Sequence, residues 1–175
     1  MVQPHTIDQD WFLSPVDRGK TAMRELACSL GVAYAECDTQ VVAGLVRRTG
    51  SQSRALLTAL SETITTFVDL GVDLDQTDKT WVPIRQLIER ATPRRWREET
   101  LALLSQYRRA PHDPGLAAML ELVGEANPRP LVHLNAATLG SLALRARDGV
   151  ERLKVTASEL GVMAASSSGS VAHRC

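Results

Sequence analysis

The stretch SRALLTALSETITTFVDLG, residues 53–71, decides between a helical and a mixed fold. Its second half, Thr63–Val68, is rich in β-branched residues and, taken alone, suits a strand. Taken whole, it places Leu56, Leu57, Leu60, Ile64, Phe67 and Val68 at three- and four-residue steps, from Ser53 until Gly71. That is the stripe of a helix with one buried face, and the longer period outweighs the local propensity. The segment is a helix.

Working outward, the same period recurs. Toward the N-terminus, Ser14-Pro15-Val16-Asp17 has Ser at an N-cap and Pro at a first helical position. Val16, Met23, Leu26, Ala27 and Leu30 then form a stripe for which Gly31 is the expected stop. A second helix is expected from about Asp38 to Arg48 on Val41, Val42, Leu45 and Val46, ending at Gly50. Beyond an acidic loop carrying Asp73, Asp75 and Asp78, short helices are expected to begin at Pro83, Thr92-Pro93 and Asp113-Pro114. Pro111 with Pro114, and Pro128 with Pro130, read as bracketing connections. The last helix is expected to be the longest, from about Asn135 to Leu160. Leu139, Leu142, Ala146, Leu153, Ala157 and Leu160 fall near a heptad that would pack lengthwise on a neighbour. Gly161 is its expected end, and Ala164–Ser170 reads as a small-residue tail unable to pack a core. The expected architecture is all-α: one antiparallel bundle over residues 1–160 and a flexible Ser/Gly-rich tail over 161–175.

At 175 residues the chain suits one domain, which buries roughly 70% of its unfolded surface and needs no disulfide or structural metal. Its 20 basic and 20 acidic residues cancel, which excludes a generally cationic coat for nucleic acid. Only Lys20, Lys79 and Lys154 are lysines, so the basic charge is almost all guanidinium, suited to bidentate phosphate or carboxylate contacts. Cys28, Cys37 and Cys175 form no CxxC and leave one unpaired, which fits a reducing compartment. No basic-then-apolar leader is evident. The charge-free run Pro130–Leu144 is too short to span a bilayer, so no membrane partner is expected.

Catalytic motifs fail on their own chemistry. Gly19-Lys20-Thr21 ends like a phosphate-binding loop, but Ser14 stands where the loop needs its first glycine. His112-Asp113 has no second histidine at a ligand spacing, and the Asp73, Asp75, Asp78 loop lacks the glycine and terminal glutamate of a calcium loop. No enzyme, cofactor or metal site is expected. Arg24-Glu25-Leu26-Ala27, Leu30-Gly31-Val32 and Tyr34 have the spacing of a helix-turn-helix DNA-binding regulator. However, its reading helix carries Glu36 and Asp38 and no basic residue before Arg47, which opposes a polyanion.

Two charge blocks stand apart in the sequence. Between Arg85 and Arg109 lie seven arginines against three glutamates, whereas Glu62, Asp69, Asp73, Asp75 and Asp78 form an acidic block. Opposite charge in two regions suits head-to-tail contacts between copies, which build helical filaments when the rotation does not close.

Two separated patches carry a resemblance. Phe12-Leu13-Ser14, Leu26, Cys28, Leu30-Gly31, Tyr34, Thr39-Gln40 and Val41-Val42 occur in order near the start. Much later come Glu121, Ala126-Asn127-Pro128 and Leu134-Asn135-Ala136, with Leu103-Leu104 and Tyr107 before Arg108-Arg109 in between. Together they resemble the coat proteins of rod-shaped, tobacco mosaic-type plant RNA viruses, across about half the chain. Residues 50–95 match poorly, the family's Arg-Phe-Pro segment is missing, and Val132 stands where the family has a subunit-contact carboxylate. The resemblance implies a subunit that forms a homo-oligomeric helical filament around single-stranded RNA, in the virion and the host cytoplasm. Arg108, Arg109, Arg145, Arg147 and Arg152 are then the expected phosphate-binding residues. Asp73, Asp75, Asp78, Glu121 and Asp148 are the expected subunit-contact carboxylates. The rivals are the DNA-binding regulator and a helical protein–protein adaptor using the Leu139–Leu160 stripe.

Overall fold

The computed structural model describes residues 15–72, 77–109 and 125–169. These form seven helices, with no strand among the described residues: α1 (Pro15–Ala35), α2 (Thr39–Thr49), α3 (Ser53–Asp69), α4 (Asp78–Ala91), α5 (Arg94–Arg109), α6 (Pro128–Arg145) and α7 (Gly149–Gly169). The expected all-α bundle is the fold, and Thr63–Val68 is helical within α3. The expected helix at Asp113-Pro114 lies outside the described residues, as do Asp73, Asp75 and Glu121.

The charge-free run finds its reason in α6. Eleven of its residues are buried, including Val132, His133, Leu139 and Leu142, and they face every side of the helix. A helix apolar all round is a central helix. Helices α1, α3, α4 and α5 pack about it. Its neighbours run both ways. Arg145, at its end, reaches Thr80 at the start of α4, so α4 is antiparallel to it. Arg54, near the start of α3, donates to the carbonyl of Glu125 just before α6, so α3 runs parallel to it. Helix α7 lies antiparallel along α1, with Lys154 bonded to Glu36 at 2.8 Å and Gly161 facing Glu25.

Several boundaries differ from the sequence expectation. Gly31 does not stop α1, which continues to Ala35. The real stop is a Schellman motif: Asp38 N–H bonds the Ala33 carbonyl, Cys37 N–H bonds Tyr34, and Cys37 takes φ +57°. The left-handed position holds a cysteine where glycine is usual, so no glycine marks the stop. Asp38 then caps α2 by accepting from Gln40 N and Val41 N. Gly71 does end α3 in the expected way, at φ +88°. Helix α4 starts at Asp78 and contains Pro83, and Pro128 and Pro130 lie in the first turn of α6 instead of outside it.

The largest correction concerns the long last helix. It is broken after Arg145, where Asp148 takes φ +55° and Gly149 begins α7. A Cβ on Gly149 would lie 2.3 Å from the Ala143 carbonyl oxygen, so the fold-back needs glycine there. The heptad residues Leu139, Leu142 and Leu153 are all buried inside the bundle, which removes them from any adaptor surface. Nor does a tail start at Gly161, because α7 is helical through Gly169.

Replacing Asp38 by Ala should lower stability by about 1 kcal/mol, since two amide hydrogens at the start of α2 lose their acceptor. Chemical denaturation should show the loss as a lower midpoint at unchanged slope.

Candidate nucleic-acid interface

The chain needs cations where helix carbonyls end and anions where amides begin, because each helix carries partial charges at its termini. Arg108 and Arg109 lie in the last turn of α5 and Arg145 in the last turn of α6. Asp78 is in the first turn of α4, and Glu151 in that of α7. Because α4 is antiparallel to both α5 and α6, these ends meet. Arg147 and Asp148 occupy the link that leaves α6, and Arg152 lies in the start of α7. All five expected phosphate-binding arginines thus gather toward one end of the bundle, from positions up to 44 residues apart.

The carboxylates do not stand apart from them. Arg108 donates to Asp78 in an exposed ion pair, and Arg147 Nε lies 3.9 Å from Asp148. The expected segregation of opposite charges onto separate contact faces is therefore wrong for Asp78. Its partner is in its own chain, because the hairpin of α4 and α5 brings the edges of the two sequence blocks together. Arg145 is engaged by the Thr80 hydroxyl at 3.4 Å. Arg109 and Arg152 are exposed and have no ion pair among the described residues. Val132 is buried in the core and contributes nothing to a contact surface.

Beside this end runs a groove of about 690 Å³ between α1, α3 and α7, with Cys28, Phe67, Leu70, Val155 and Leu160 along it. Arg24, Glu62, Asp148, Glu151 and Arg152 rim it. Burial pushes the Cys28 thiol up to about 11, so it remains an unreactive thiol near neutral pH.

The motifs rejected on sequence fare no better in space. Gly19-Lys20-Thr21 lies inside α1, with no turn to cradle a phosphate. The helix-turn-helix reading loses its turn, since Leu30-Gly31-Val32 is continuous helix. No cluster of three metal-ligating side chains occurs among the described residues, and no described helix is long and apolar enough to cross a membrane.

One polar constellation escaped the sequence reading. Tyr34 hydroxyl, in the core, lies 2.8 Å from both Thr92 Oγ1 and His133 Nδ1. Its signal was a tyrosine four residues beyond Leu30 on the α1 stripe and a histidine inside the charge-free run. Nothing in either pattern says that the two meet.

Fold and site together define an all-α bundle with a mixed-charge, arginine-rich end beside an apolar groove. Comparison with models of known families, with characterised proteins and with solved structures finds no match.

Proposed function

We propose that this is a structural, coat-type subunit that contacts the backbone of single-stranded RNA through its arginine-rich end and assembles with copies of itself into a helical filament. The observation that carries the reading is the convergence of Arg108, Arg109, Arg145, Arg147 and Arg152 at one end of the bundle. Arginines on helix ends and a link can follow a phosphate backbone while making no demand on base edges, which is what packaging any stretch of a genome requires. The resemblance of the two terminal patches adds to it. Exposed Leu70 and Val155 in the groove supply apolar surface for contacts between copies. Such a subunit would act in the particle and in the host cytoplasm, with no cofactor and no catalysis of its own.

Electron microscopy of the purified protein with single-stranded RNA should show rods. Monodisperse subunits at every pH and salt concentration tried would overturn the reading. Binding should weaken with salt, and Arg109→Gln and Arg152→Gln should each lower the log–log salt slope by about 0.7 if each neutralises one phosphate. Asp78→Asn, which frees Arg108, should tighten RNA binding while costing under about 1 kcal/mol of stability, because the pair is exposed.

A further inference from the structure

A second, smaller cavity of about 310 Å³ lies at the other end of α4, where α2, the start of α5 and the first turns of α6 meet. His133 and Val46 are its buried wall, Pro93 and Trp96 flank it, and the exposed Arg47 and Arg95 stand on it. None of its lining residues is acidic. Arg47 makes a hydrogen bond to its own helix, at the Ala43 carbonyl, and the Arg95 guanidinium lies 5.1 Å over the Trp96 ring. Neither meets a carboxylate among the described residues.

Two of the residues that line the cavity carry a buried, unsatisfied polar atom. His133 is fully buried, and its Nε2 has no hydrogen-bond partner among the described residues. Trp96 Nε1, which is only ever a donor, is also buried without one. Buried polar groups are nearly always paired, so two orphans beside one cavity call for an acceptor. The core side of the imidazole is already specified. Nδ1 is committed to Tyr34, and the ring edge away from Nδ1 carries Nε2. If Thr92 donates to the Tyr34 oxygen and Tyr34 donates to Nδ1, the ring proton sits on Nε2, as a donor.

We propose that this cavity binds the phosphate group of a small phosphate monoester, held by Arg47, Arg95, His133 Nε2–H and Trp96 Nε1–H. A phosphate with three terminal oxygens matches two guanidinium forks and a ring N–H arriving from three separate elements. The volume exceeds what a bare ion fills and sits at the low end of ligand cavities, leaving room for an organic group beside Val46, Pro93 and Trp96. The site is remote from the arginine-rich end and rests on none of the residues assigned to RNA.

Calorimetric titration at constant ionic strength, with inorganic phosphate and with adenosine monophosphate as probes, tests it. Saturable binding of either is expected, tighter for the monoester. Arg47→Gln and Arg95→Gln, both on exposed side chains, should each weaken it at least tenfold, whereas Lys20→Gln, at an exposed position early in α1, should leave it unchanged. The His133 ring nitrogen resonances should shift on saturation. Inorganic phosphate binding alone would confine the site to the free ion and overturn the monoester assignment. Absence of saturable binding by both probes, or equal affinity in the arginine variants, would overturn the site itself.

Discussion

Stability should fall by about 3 kcal/mol as pH drops from 6.5 to 4, with His133 as the cause. Burial, and then the positive charges of Arg129 and Arg95, lower this histidine from an ordinary 6.5 to about 4. Above 6.5 the ring is neutral in both folded and unfolded chains, and its contribution to stability is complete. Between 6.5 and 4 the unfolded chain takes up a proton that the folded one refuses, and each pH unit costs about 1.4 kcal/mol. Below 4 both states are protonated and the loss levels off. Denaturation midpoints across this window should trace the slope, and nuclear magnetic resonance should place the His133 titration near 4. A ring that titrates near 6.5 in the folded protein would refute the assignment. A phosphate bound on Nε2 would raise that value, so the titration also reports on the cavity.

Gly140→Ala should destabilise the protein by about 1–3 kcal/mol, while Gly44→Ala should stabilise it by about 0.5–1 kcal/mol. In a helix interior alanine normally improves on glycine, and Gly44 in α2 has nothing within 4 Å of where its Cβ would be. Gly140 sits where α1 and α6 cross. A Cβ there would come within 3.0 Å of the Gly31 carbonyl oxygen and the Ala35 nitrogen, and 2.9 Å from Tyr34 Cβ. Two of those atoms belong to backbone, so the helices themselves must separate, and the Tyr34–His133 contact with them. Equal effects of the two substitutions, measured by thermal or chemical unfolding, would refute the close crossing.

The same crossing explains how α1 defeated its sequence reading. Gly31 has two ordinary meanings, a helix end or a place where another helix comes near, and nothing local separates them. Here a Cβ on Gly31 would lie 2.8 Å from the Leu139 side chain, so the second meaning holds. Once Gly31 is mid-helix, the helix-turn-helix geometry is gone. Pro83 and Pro130 misled in a related way. Each reads as a boundary, yet Pro83 is inside α4 and Pro130 lies within the first turn of α6. For the candidate interface, the arginines were legible as residue types, but their company was not. Asp78 and Arg108 are 30 residues apart, and only the α4–α5 hairpin makes them partners.

The break at Ala146–Asp148 marks the same limit on a larger scale. Apolar spacing continues through it from Leu142 to Leu153, and no proline interrupts it. Tertiary packing supplies the reason for the turn: α7 folds back so that Leu153 is buried with the core and its length lies along α1.

Sequence alone determined the helical class and the existence of most elements, because the apolar period is a local consequence of residue order. Tertiary structure decided where α1 ends, that the last helix is two, that Asp78 neutralises Arg108 and that Tyr34, Thr92 and His133 meet. Those outcomes depend on which distant surfaces approach one another, and the free energy of that approach is shared among contacts that no single segment contains.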